Sequence, residues 1–176
     1  MHQTGRMLQD LALPVSLGVA TGLVTLRDAV EGDLDALMQL LADDSISATR
    51  GDLGAAEDRP AYLTAFRAVT ADAGNALLVV VDDSNSLVGT MQLTRIPGMA
   101  RRGSTRLQIE AVRVRSDQRS NGIGGAMLRW VRDNASADLD THLIQLSSDA
   151  ARHDAHRFYT RLGFIGSHIG YKYRVA

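Results

Sequence analysis

Apolar and polar positions change period several times along the chain, and each change marks an element. Leu23, Val24 and Leu26, with Thr25 as a β former, read as a first strand that stops at Arg27 and Asp28. Asp33 then precedes Leu34, Leu37, Met38, Leu40 and Leu41, whose spacing predicts one apolar helix face with that aspartate as cap. Periodicity is lost over 43–58, where Gly51 and Gly54 predict a loop, and Tyr62, Leu63, Phe66 and Val69 restore helical spacing over 59–72. From Ala76 the run LLVVV, the turn-forming DDSNS and the segment SLVGTMQLTRI predict a hairpin. Pro97, Gly98 and Arg101 to Gly103 mark a further turn, after which TRLQIEAVRVR alternates as a long strand.

Ile123, Met127, Leu128, Trp130 and Val131 predict a helix from Gly122 to about Ser136, and HLIQLSS reads as the next strand. A last helix spans about 152–162 and stops at Gly163, and the tail FIGSHIGYKYRV supplies one or two final strands. This order of elements predicts a mixed α/β domain around one central sheet. Residues 1–24 contain an apolar stretch that Asp10, Pro14 and Gly18 interrupt, shorter than the roughly 18 residues a membrane span needs. They read as an N-terminal extension over residues 1–22 that packs on the domain or on a partner, with residues 23–176 as the single domain.

Composition narrows the function classes. With 45% hydrophobic and 22% charged residues in 176, the chain has the make-up of one globular domain. A net charge of −1 provides no global field for nucleic acid or anionic lipid, so neither is expected as a partner and any anionic ligand must be held locally. The absence of cysteine excludes disulfides, thiolate metal sites and an acyl-cysteine intermediate, and is compatible with the cytoplasm. His153 and His156 stand at helical spacing without a third ligand, so no metal site is expected.

The stretch DQRSNGIGGAML joins the long strand to the third long helix, with Arg119, Gly122 and Gly124 spaced R-x-x-G-x-G. Glycines let a backbone approach an anion closely, and unpaired amides at a helix start attract phosphate. The loop lacks the Lys-Ser/Thr ending of a P-loop and the first glycine of a dinucleotide fingerprint, so a different phosphorylated ligand is indicated.

Glu110 to Leu128, EAVRVRSDQRSNGIGGAML, resembles the R/Q-x-x-G-x-G/A motif and preceding strand of the GNAT superfamily of N-acetyltransferases. A second match lies downstream at AHRFYTRLGF, where Ala155, Phe158, Tyr159, Gly163 and Phe164 fit A-x-x-F-Y-x-x-x-G-F, and TLRDAVEGDLDAL is similar to the family's opening strand and helix. The resemblance implies an acyl-CoA N-acyltransferase fold: a central, mostly antiparallel twisted sheet, about four flanking helices, and strands splayed at the cofactor site. It implies that Val112 and Val114 contact pantetheine and that Arg119, Ser120, Asn121, Gly122, Ile123, Gly124 and Gly125 cradle the CoA pyrophosphate. Two positions depart from the pattern: Ser120 stands where glycine is common, and Arg152 where asparagine is frequent.

The implied reaction moves the acetyl group of acetyl-CoA directly to a primary amine on a small molecule or peptide, with no metal. It needs a neutral amine, a polarised carbonyl and a proton for the departing thiolate. Tyr159 is the candidate acid. Glu110, which strict alternation puts on the same face as Val112 and Val114, is the candidate base, or else a surface carboxylate paired with Arg106, Arg113 or Arg115. The Val112 amide is a candidate donor to the thioester carbonyl. Ser147 and Ser148 either line the acceptor site or are solvated, and Arg101 and Arg102 either meet the 3′-phosphate or form a solvated turn. In this family the first two helices and their connection set acceptor choice, and Asp43, Asp44, Asp52, Glu57 and Asp58 would there favour a cationic amine unless they serve solubility alone. A homodimer is a further implication, and a non-catalytic acyl-CoA-binding module is the alternative.

Overall fold

The computed structural model describes residues 6–173 and 175. Among them six strands form one sheet in chain order: β1 Val15–Val19, β2 Gly22–Asp28, β3 Asn75–Val81, β4 Leu87–Ile96, β5 Arg106–Val114 and β6 Leu143–Leu146. Every neighbouring pair is antiparallel except β5 and β6, which run parallel. The helices are α1 Leu34–Ala42, the short α2 Ser45–Ala48, α3 Arg59–Ala71, a four-residue turn α4 Ala100–Gly103, α5 Ile123–Trp130 and α7 His153–Arg161. A π-helical turn over Val131–Ala135 carries α5 into the short α6 Ser136–Asp138. This is the mixed α/β, mostly antiparallel architecture expected from the sequence.

The sheet buries both faces, which explains the continuous apolar run of β3. Leu78 and Val80 enter the larger core with Leu26, Met91, Leu107, Ile109 and the α5 residues Ile123 and Met127. Leu77 and Val79 meet α1 and α3 on the other face through Leu34, Leu37, Met38 and Phe66. Asp33 does not cap α1 with its side chain. Its carboxylate accepts the Val30 amide at 2.8 Å and two bonds from the Arg27 guanidinium at 2.7 and 2.8 Å, tying β2 to the start of α1.

The segment before residue 23 takes the first of its two expected placements, packing on the domain, and joins its sheet: β1 pairs with β2 from Val15↔Leu26 to Val19↔Gly22, and Leu8, Leu11 and Leu17 lie in the larger core. The turn between these strands is Ala20-Thr21, which carries no strong turn signal. At the other end, described residues 165–173 and 175 form none of the final strands expected of the tail. Ile165, Ile169, Tyr171, Tyr173 and Val175 are all at least 80% exposed, so this alternating apolar pattern covers no face among the described residues.

Candidate active site

The site begins with an irregularity in β5. Gln92 pairs with Glu110 and Thr90 with Arg113, so Ala111 and Val112 together stand opposite Met91, with Ala111 at φ +50°. This one-residue bulge resets the alternation. Leu107 and Ile109 before it, and Val112 and Val114 after it, all meet the larger core. Glu110 therefore lies on the opposite face from Val112 and Val114, and the shared face expected from strict alternation does not hold. The bulge also bends β5 away from β6: their pairing ends at Ile109↔Leu146, and residues 110–114 keep β4 as their only strand neighbour among the described residues. No described strand covers their outer edge, where the Val112 and Val114 carbonyls accept the Arg113 and Arg119 guanidiniums at 2.8 and 3.2 Å.

Glu110 is exposed, with the Thr94 hydroxyl 3.3 Å from its Oε2, although Thr94 makes its shorter bond to Asn75 at 2.7 Å. Of the arginines expected as partners, Arg115 pairs with Asp117 and Arg113 bonds Ser47, while Arg106 leaves its buried Nε unpaired, and none of the three forms an ion pair with Glu110 among the described residues. A carboxylate in water without a bound cation can accept a proton relayed from solvent.

Past β5 the loop turns through Ser120 at φ +67° and Gly122 at φ +87° into α5. Ala126 donates to the Gly122 carbonyl at 2.9 Å, so the amides of Ile123, Gly124 and Gly125 ahead of it have no acceptor within the helix. These donors, at the positive end of the helix dipole, fit a pyrophosphate. The three glycines differ in purpose. Gly122 supplies the left-handed conformation. At Gly124 a Cβ would stand 3.3 Å from the Phe158 ring and 3.6 Å from Val114, so its bareness lets α5 pack on α7 and β5. At Gly125 it would meet the flexible end of Arg129 at 3.0 Å. The Ile123 side chain is buried in the core, leaving only its amide to the loop.

Arg119 does not point into the cradle. It donates to the Asp43 carbonyl at 2.6 Å and the Val114 carbonyl at 3.2 Å, and the Asp43 carboxylate accepts the Ser116 amide at 2.6 Å. The motif arginine thus fastens the loop to the end of α1. Asn121 bonds Gln118 through its side chain at 3.2 Å, and its carbonyl accepts the Ala20 amide at 2.9 Å. Ala20, in the β1–β2 turn, is a support that the sequence reading missed, since nothing in the sequence brings residue 20 beside residue 121.

Tyr159 sits on α7, half-buried, with its ring against Phe158 and Phe164 at centroid distances of 5.2 and 5.9 Å. Gly163 takes φ +91° and turns the chain so that the Phe164 amide donates to the Tyr159 carbonyl at 3.1 Å, which is why the motif ends in Gly-Phe. Burial pushes the phenol above its ordinary value of 10.0, with Arg113 and Arg152 pulling weakly the other way. At neutral pH it is a protonated donor.

Arg152 binds the Asp44 carboxylate at 2.6 and 2.5 Å, and Arg50 pairs with Asp149, so two ion pairs lock α2 against the β6–α7 connection. The Arg152 guanidinium holds the Asp44 carboxyl far below the usual carboxylate range. The acidic loop is therefore largely spoken for: Asp43 holds Ser116, Asp44 holds Arg152, and Asp52 accepts the Tyr62 hydroxyl at 2.6 Å, pushing that phenol up to about 12. Ser147 is exposed, while Ser148 Oγ is buried without a partner. Arg101 and Arg102 are exposed before the start of β5, whereas the Arg119 loop follows its end. His156 bonds the Asp149 carbonyl at 2.8 Å, and no group able to hold a metal occurs among the described residues.

A mostly antiparallel sheet that opens between its one parallel pair, with free helix-start amides at the opening and a tyrosine helix beside it, defines the class of N-acyltransferase folds. The family model for acetyltransferases of the GNAT family matches residues 34–164, and the chain belongs to that family. It is similar to a Bacillus halodurans C-125 protein described as a transcriptional regulator, with 37% identity over 86% of this chain and 99% of that one and a TM-score of 0.78. It shares its fold with a putative acetyltransferase from Agrobacterium tumefaciens str. C58 (23% identity, 85% and 99% coverage, TM-score 0.70). It also shares it with glucosamine-6-phosphate N-acetyltransferase from Arabidopsis thaliana (14%, 87% and 99%, 0.69). No curated protein matches the chain.

Proposed function

We propose that the chain transfers the acetyl group of acetyl-CoA directly to a primary amine. The observation that carries this reading is the convergence, at one opening, of the β5 edge that no described strand covers, the free amides that start α5, and the protonated Tyr159. Acetyl-CoA supplies an activated acyl group on a thiol leaving group. The amides of Ile123, Gly124 and Gly125 bind its pyrophosphate and the backbone of Val112 and Val114 aligns its pantetheine arm, while Arg119, Asn121 and Ala20 keep the loop in shape. As the amine nitrogen bonds the acetyl carbon and the carbon–sulfur bond breaks, the Val112 amide steadies charge on the carbonyl oxygen. Tyr159 gives its proton to the departing thiolate, and the amine proton leaves through water to Glu110.

Family membership supports acyl transfer, and no described helix is long and apolar enough to cross a membrane. A half-buried Tyr159 held as a protonated donor favours this reading over the alternative, an acyl-CoA-binding module without turnover. Tyr159→Phe tests the choice: turnover is expected to fall by about 10- to 1000-fold with CoA affinity nearly unchanged. Unchanged turnover removes Tyr159 from the reaction.

A further inference from the structure

The opening contains a cation that the reaction as proposed does not use. Arg113 follows the β5 bulge and faces away from the larger core. It donates from Nη2 to the Ser47 hydroxyl at 2.7 Å and from Nη1 to the Val112 carbonyl at 2.8 Å, and its Nε is buried and bonds nothing. Both of its partners are neutral. Of the carboxylates that attract it, Asp44 is paired with Arg152 and Asp52 accepts the Tyr62 hydroxyl, Asp149 is paired with Arg50, and neither these nor Glu110 on the same face of β5 forms an ion pair with Arg113 among the described residues. Arg113 is half-buried; burial, first, and Arg152 disfavour its charge, against smaller attraction from Asp44, Tyr159 and Asp52. A guanidinium cannot shed its charge in a protein, so burying one without a counterion is costly unless an anion is brought to it.

The surroundings are built to present this group. Ser47, which orients it, is itself only 1% exposed, and the two ion pairs on either side of α2 fix Ser47 in place. The charges of Arg113 and Arg152 favour the ionised form of the Tyr159 phenol, against the larger effect of burial that raises it. Ser148, two residues past the last β5–β6 pair, adds a buried hydroxyl with no partner at the same opening.

We infer that Arg113 is the anchor for a carboxylate on the acceptor, so that the site takes a free amino acid or a related small amino-carboxylate with its amine directed toward Tyr159. The guanidinium fork matches a carboxylate in shape and charge. This replaces the preference for cationic acceptors read from the acidic loop, in which Asp43 holds the Ser116 amide and Asp44 is paired with Arg152. The amine half of the inference rests on the acetyl-transfer reading, whereas the anion half stands on Arg113 alone.

The test is calorimetric titration of the full chain, saturated with CoA, with α-amino acids and with the corresponding amino-acid amides. Free carboxylates are expected to bind roughly tenfold or more tightly than their amides. Arg113→Gln should abolish that difference, and Arg113→Lys, which keeps the charge but not the fork, should retain part of it, with CoA affinity unchanged in both. If Arg113→Gln fails to fold, the lysine variant and the acid-against-amide comparison in the unaltered protein still decide. Amides that bind as tightly as acids, or no binding by any member of the panel, overturn the inference. Thiol release measured on the same panel separates the two readings. Discrimination without release keeps the anion site and removes acetyl transfer, and equal release from acids and amides does the opposite.

Discussion

Ser120 shows how one side chain can report on the cradle. It is exposed at φ +67°, a conformation that costs most side chains about 1 kcal/mol relative to glycine and that aspartate tolerates better than most. Ser120→Gly is expected to raise stability by about 1 kcal/mol and leave CoA binding intact. Ser120→Asp should preserve the fold but place a carboxylate beside the amides that start α5, lowering CoA affinity by roughly tenfold or more through like-charge repulsion. Paired melting and calorimetric titrations check both, and equal CoA affinity in the two variants would move the pyrophosphate elsewhere. Residue types and their spacing single out the loop and the tyrosine as candidates. They did not reveal the work of Arg119, whose partner Asp43 is remote in sequence, or of Gly124, whose bareness serves the Phe158 ring.

Among the elements, the link between α2 and the β6–α7 connection is electrostatic. Asp44, held by Arg152, and Asp33, held by Arg27, both have folded pKa values below the ordinary 3.8. The fold therefore favours their ionised forms. Their contribution to stability is complete above the ordinary carboxylate value and is lost as pH falls through the depressed folded values. Stability measured by urea denaturation should decline below pH 3.8, and Asp44→Asn should flatten that decline while lowering stability at pH 7. An acid limb identical in the variant and the parent protein would contradict the assignment. Most strands and long helices were legible because their periods are clear. The β5 bulge was not, because EAVRVR continues to alternate by eye while Ala111 adds a residue with no glycine to announce it. The opposite placement of Glu110 and the β5 edge that no described strand covers both follow from that residue.

For the whole molecule, the segment ahead of residue 23 belongs to the sheet and the core, and it reaches the cradle through Ala20. A chain starting at residue 23 would lose Leu8, Leu11 and Leu17, buried leucines that contribute about 1.5–3 kcal/mol each, and would expose the β2 edge. It is expected not to fold stably, as circular dichroism would show, and a cooperative melt at the parent temperature would contradict this. The central claim concerns the opening between β5 and β6, and the most direct test is calorimetric titration of the whole chain with acetyl-CoA, CoA and ATP, followed by thiol release with a mixture of amines. Saturable binding of acetyl-CoA and CoA but not ATP, with thiol released only when an amine is present, is the predicted result. Absence of acetyl-CoA binding would contradict the account.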